Sequence, residues 1–80
     1  MNDADIMTRI SHLVDEEHQL LQQRDGGGLD DAQHSRMKEL EVGLDQCWDL
    51  LRQRRARRDA GLDPDDSRAR DPKIVEDYVQ

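Results

Sequence analysis

Two groups of side chains in this sequence are of types and spacings that could do chemistry. The first is Asp15, Glu17 and His18, with His12 upstream and His34 further along. Asp15 and His18 stand at i, i+3, the spacing by which one helix of a carboxylate di-metal bundle supplies two ligands. Glu17 strengthens the suggestion, because its position falls inside an apolar helical stripe. A carboxylate placed there must be ligated, ion-paired or able to reach water. A di-metal centre takes about four carboxylates and two histidines turned inward, yet His12 and His18 both lie off the stripe. A buried ion pair of Glu17 with Arg36 or Lys38, a hydrogen bond from the Trp48 indole, or a basic group of a second chain accounts for the same residue more simply. No metal or cofactor is expected, and a metal-binding or catalytic bundle using Glu17 and His18 stands as the alternative.

The second group is Arg52, Arg54, Arg55, Arg57 and Arg58, five arginines within seven residues. Arginines on an exposed helical end can hold phosphates or an acidic protein surface. The ordinary explanation is also good, since cations at a helix C-terminus offset the dipole and pair with nearby acids such as Asp49, three residues before Arg52. Nucleic acid is the weakest of the three readings: the chain carries a net charge of −7, which repels a polyanion, and no aromatic interleaves the arginines. An acidic protein partner remains. Other catalytic readings are poor. No serine, histidine and acid have the placement of a nucleophilic triad. Leu20-Leu21-Gln-Gln-Arg24 is similar, in pattern only, to the first helix of small all-helical chorismate mutases, which need several cations around a dianion. Here that helix offers Arg9 and Arg24 and no lysine. No catalytic residue is assigned.

The elements that must position these residues are helices. Asn2 and Asp3 are N-cap residues, and Asp3 and Asp5 suit the positive end of a helix dipole. Ile6, Ile10, Leu13 and Leu20 then form one row, with Met7, Val14 and Leu21 beside it at intervals of seven. Together they span roughly 140° of a helical wheel, wider than the seam one partner helix needs. The pattern predicts a first helix from Asp3 to about Arg24, ended by Asp25-Gly-Gly-Gly28. A phosphate-cradling loop would follow a strand and carry a Lys-Ser/Thr pair, and neither is present. Asp30-Asp31-Ala32-Gln33 has the form of a capping box, opening a second helix from Asp31 to about Asp59 that runs antiparallel to the first.

The second helix bears Leu40, Leu44, Cys47, Trp48 and Leu51 as one buried face, with Met37 extending it toward the turn. Cys47, the single cysteine, is read as a buried small hydrophobe that excludes an internal disulfide and suits a reducing cytoplasm. Gly43 costs about 1 kcal/mol relative to alanine in mid-helix, which close approach of a neighbouring helix would explain. Leu50 lies off the main stripe, as a solvent-facing residue or a second contact with a partner or the tail. Gly61 ends the helix, residues 62–70 read as turn and linker, and Asp71-Pro72 opens a short helix over Lys73–Val79 with Ile74 and Tyr78 on one face.

The fold expected is all-α: an antiparallel two-helix hairpin over residues 1–61, and a linker with a short helical tail over 62–80. Eighty residues with 34% hydrophobic and 39% charged side chains supply little core, and a lone hairpin cannot cover its own apolar stripe. A homodimer forming a four-helix bundle of coiled-coil character is the expected remedy, through Met7, Val14, Leu21, Gly43 and Leu50. The rival cover for the same row is the tail, through Ile74, Val75 and Tyr78. Charge is uneven: residues 1–50 carry twelve acids and four bases, and residues 51–61 five arginines and one aspartate. No apolar run approaches the roughly twenty residues that span a bilayer, and no signal peptide opens the chain, so a cytoplasmic protein that does not engage a membrane is expected.

Residues 44–56, Leu-Asp-Gln-Cys-Trp-Asp-Leu-Leu-Arg-Gln-Arg-Arg-Ala, resemble the hallmark segment of a family of short actinobacterial helical proteins of unknown function. The opening Ile-x-x-Leu-Val-x-Glu-Glu-His and the closing Asp-Pro…Val-Glu-x-Tyr resemble that family's ends, so the likeness spans nearly the whole chain. The triglycine connection departs from the family's usual turn. The resemblance implies a stand-alone helical protein with no assigned activity and no site residue to carry over. The function expected is that of a small non-catalytic interaction or scaffold protein.

Overall fold

The computed structural model describes residues 1–71 and 73. Helix α1 spans Asp3–Gly27 and helix α2 spans Asp31–Asp59, followed by a 3-10 turn at Pro64–Asp66. Both long helices open on reciprocal caps. The Asn2 side chain accepts from the Asp5 N–H at 2.8 Å while Asp5 accepts from the Asn2 N–H, and Asp30 and Gln33 make the same exchange. Each cap satisfies donors that a helix start otherwise leaves open.

α1 runs three residues past the expected end. Gly26 and Gly27 stay helical and only Gly28 takes the positive φ of 91°, its N–H donating to the Arg24 carbonyl at 2.9 Å. The reversal therefore needs only Gly28, Leu29 and the Asp30 cap, and the helix continues until its end stands beside the next N-terminus.

The two helices pack antiparallel, with Asp3 level with Arg54, Glu16 near Arg36 and Gln23 beside Gln33. α1 comes close to α2 at Gly43, where a Cβ would lie 3.3 Å from Leu13 Cδ1. The mid-helix glycine thus admits α1, as its cost suggested. The buried apolar residues are Ile6, Ile10, Leu20, Leu40 and Cys47, with Ile6 and Leu40 nearly inaccessible. Leu13, Val14, Leu44, Leu50 and Leu51 pack against this core half-buried. Trp48 departs from the expected face: it is 45% exposed, as is Met7. It stands about 100° from Cys47 on the wheel, beyond what one neighbouring helix covers.

Residues 62–70, expected to be a linker, instead return along α2 as a strap. The Leu62 N–H donates to the Arg57 carbonyl at 2.7 Å, where the chain turns back. Gln53 Nε2 then donates to the Arg68 carbonyl at 2.6 Å, and Gln46 Nε2 to the Arg70 carbonyl at 3.2 Å. Leu50, off the main stripe, lies under this strap beside Ser67 and Ala69. The Asp71 side chain accepts from the Lys73 N–H at 2.9 Å, as an N-cap does. The short helix expected over Lys73–Val79, with Ile74, Val75 and Tyr78, otherwise lies outside the described residues.

Candidate interaction surfaces

The arginine run divides into residues held within the chain and residues left outward. Arg54 is only 7% exposed. Its guanidinium donates to the Asp3 carboxylate, to the Met1 carbonyl at 3.0 Å and to Asp65 Oδ1 at 2.9 Å. One planar cation thereby fastens the N-terminus and the 3-10 turn to α2. Arg58 adds a second contact to Asp3 at 3.0 Å. Hydrogen bonds from Arg54 and then Arg58 hold the Asp3 carboxyl below its ordinary range, against a smaller opposing effect of desolvation. The same contacts from Asp3 and Asp65 raise Arg54, which stays protonated.

Arg52 lies 3.9 Å from Asp49, the i, i+3 neighbour expected for it. Asp49 itself is 2% exposed, covered by the strap, with Gln53 Nε2 at 2.8 Å and Arg70 Nε at 3.4 Å. Arg55 and Arg57 make no side-chain hydrogen bond or ion pair with any described residue. Of the five expected partner-binding arginines, these two are the ones not engaged within the described chain.

Glu17 is half-buried and has no ion pair among the described residues. Its neighbour Glu16 takes Arg36 instead, with Arg36 Nη2 donating at 2.9 Å and Glu39 joining at 3.1 Å. The Arg36 hydrogen bond lowers the Glu16 carboxyl below its ordinary range. Asp15, His12, His18 and His34 are exposed, and among the described residues no three of the His, Cys, Asp and Glu side chains converge on a point that could hold a metal. Cys47 is a free, buried thiol.

The hairpin has two dissimilar flanks. Arg9, Gly43, Gln46 and Leu50 share the flank that the strap crosses, Ala69 lying among them. On α1 the Met7, Val14 and Leu21 row is turned roughly 150° from Arg9 on the wheel, and on α2 Met37, Leu44 and Trp48 are turned similarly far from Gln46 and Gln53. The second flank is therefore an apolar strip that no described part of the chain crosses. Gly43 and Leu50, expected at a self-association face with the Met7 row, stand on the strapped flank instead, where Leu13 and the strap meet them. Next to the strap an open groove of about 410 Å³ is lined by Arg9, Ser35, Lys38, Val42 and Gly43 among others. It brings together no nucleophile, base and orienting group of the kind an active site needs.

Among the described residues no helix is long and apolar enough to cross a membrane. A family described as "Protein of unknown function (DUF2630)" matches residues 2–80. Uncharacterized proteins of Mycobacterium tuberculosis (strain H37Rv) and Mycobacterium bovis are each 42% identical over 78 residues, spanning 96% of this chain and 90% of the relative. No solved structure matches.

Proposed function

The chain belongs to the DUF2630 family of proteins of unknown function, and from its own surface we propose a non-catalytic helical interaction protein that self-associates through the flank opposite the strap. The observation that supports this most is the pairing of Trp48 and Met7, both 45% exposed, on one apolar strip with Val14, Leu21, Met37 and Leu44. Large side chains grouped this way on a small protein mark an interaction surface. The described residues hold five buried apolar side chains, a thin core, and a second layer of helices is the usual remedy. Covering the strip buries on the order of 600 Å² per chain, near the lower end of the range for specific interfaces.

The single tryptophan reports on the strip directly. On dilution from 100 μM to 0.1 μM its emission should move to longer wavelength as Trp48 enters water, in step with a fall in mass. Trp48→Glu should hold the protein monomeric with its helix content intact. Val14→Asp is a poorer test, because Val14 also packs on the core. A mass of one chain at every concentration would remove the reading. A competing metal-bundle reading around Glu17 and His18 predicts stoichiometric iron, manganese or zinc by elemental analysis.

The acidic-partner reading rests on a narrower set of residues, Arg55 and Arg57. Binding of a polyglutamate chain, weakened by salt and by Arg55→Gln with Arg57→Gln, would support it. Retention of DNA under the same conditions would point to nucleic acid instead.

A further inference from the structure

Resting on the self-association just proposed, we infer that two copies stack their open strips head to tail, about a two-fold axis that runs across the hairpin at right angles to its helices, so that Arg55 of each copy lies over the acidic turn of the other. Two symmetric arrangements can bury the strips face to face. A two-fold along the hairpin sets turn against turn, whereas a two-fold across it sets the turn of one copy against the open end of the other. The apolar residues do not choose between them. Met7, Val14 and Leu21 are symmetric about Val14, and Met37, Leu44 and Leu51 are symmetric about Leu44. Val14 and Leu44 stand at nearly one level in the antiparallel hairpin, given the Leu13–Gly43 approach. Either two-fold through that level covers both rows.

The charges along the strip do choose. The turn end of the strip carries Asp25 and the Asp30 cap, with Glu41 and the half-buried Glu17 further up, while Asp31 is turned about 140° from Leu44. No basic residue is ion-paired to Glu17, Asp30, Asp31 or Glu41 within the described chain, and Asp25 has only the exposed Arg24 at 3.7 Å. At the other end Arg55 shares the wheel sector of Leu44 and Trp48 and has no described partner; Asp3 and Asp65 are taken by Arg54 and Arg58, and the one acid of that sector left at this end of α2, Asp59, is flanked by Arg55 and Arg58. A two-fold along the hairpin sets α1 of one copy on α2 of the other, stacking carboxylates on carboxylates at the turn and placing Arg55 over the start of α1, where Asp3 is already held by Arg54 and Arg58. A two-fold across it places the Arg55 end on the acidic turn twice over, by symmetry. Counted from the Val14–Leu44 level, Arg55 lies about eleven residues along α2, and the same distance in the other direction reaches Gln33 and the cap at Asp30. Such rim pairs set orientation more than affinity. The acidic partner that fits this basic end is a second copy of the chain.

Single thiols read the arrangement. In a Cys47→Ala background, Val14→Cys sits on the axis in the head-to-tail dimer, α1 against α1, and should form a disulfide-linked dimer under mild oxidation. In the turn-on-turn arrangement Val14 faces Leu44 of the other copy, so mixed Val14→Cys and Leu44→Cys chains would cross-link instead. Charge gives an independent reading: Arg55→Glu should weaken the dimer about tenfold at low salt, and Asp25→Lys in the same chain, which leaves the Asp30 cap intact, should restore part of it. A wild-type protein that stays monomeric removes the self-association itself. A wild-type dimer with the mixed cross-link, or with no response to Arg55→Glu, keeps the self-association and overturns the head-to-tail stacking.

Discussion

Replacing Gly43 by alanine should stabilise the protein, although the position looks like one that only glycine tolerates. Gly43 has helical backbone, so nothing in its φ demands glycine. Alanine recovers about 1 kcal/mol of helix propensity. Against this stands one contact: the new Cβ would lie 3.3 Å from Leu13 Cδ1 and 3.9 Å from Leu13 Cδ2, with nothing else within 4 Å. The first distance is a few tenths of an ångström short of ordinary contact, and the atom is the end of a flexible, half-buried side chain. Its adjustment costs a fraction of the gain, leaving about 0.5 kcal/mol net, or a rise in Tm of about 2–4 °C for a chain of this size. Gly43→Leu reaches past that methyl into the helix contact and should cost about 1–3 kcal/mol. Both are read by thermal melts at one fixed protein concentration, because association makes Tm concentration-dependent. A Gly43→Ala protein melting more than about 4 °C below the wild type would show that Leu13 cannot yield, and the reasoning would fail.

Other outcomes follow from the same structure. Leu40 is fully buried, so Leu40→Ala should cost about 2–5 kcal/mol by urea unfolding; a loss under 1 kcal/mol would mean that α1 and α2 do not pack there. The Ser67 hydroxyl is buried with no hydrogen-bond partner among the described residues, so Ser67→Ala should leave the urea midpoint unchanged or raise it. Asp3 and Glu16 have carboxyl pKa values held down by Arg54 and Arg36. Their contribution is present above the unfolded carboxylate range of about 4 and is lost as pH falls through the lower folded values. The urea midpoint should therefore drop between pH 5 and 3, modestly because both carboxylates are partly exposed, and Asp3→Asn should flatten the drop. An unchanged profile in that variant would contradict the clasp at Arg54.

What could be read in the sequence was what is local. Asn2 and Asp30 announce helix starts because a cap and its N3 partner are three residues apart, and the limits of α2 follow from Asp30 at one end and Gly61 at the other. Gly43 signalled a close helix, and Leu13 is that neighbour. What could not be read depends on contacts with no residue type of their own. The strap is held partly through the carbonyls of Arg68 and Arg70, which any residue has, and partly through Asp65 and Arg70, whose partners on α2 lie outside any local pattern, so 62–70 reads as linker. Arg54 looks like its neighbours in an arginine run, and what encloses it is the arrival of Met1 and Asp3 from the other end of the chain and of Asp65 from the 3-10 turn. Glu16 and Glu17 are adjacent acids, and the small rotation that gives Arg36 to Glu16 is below what periodicity resolves. Trp48 reads as core because its spacing fits the stripe, yet a stripe wider than one partner helix leaves its edge exposed.

The central claim, that the Met7–Trp48 flank is covered by a second copy, is tested most directly by sedimentation equilibrium of the full chain from 1 to 100 μM. The account predicts a reversible approach to twice the 9.3 kDa chain mass at the upper concentrations, abolished by Trp48→Glu. A full-length protein that remains at 9.3 kDa up to 100 μM would contradict it.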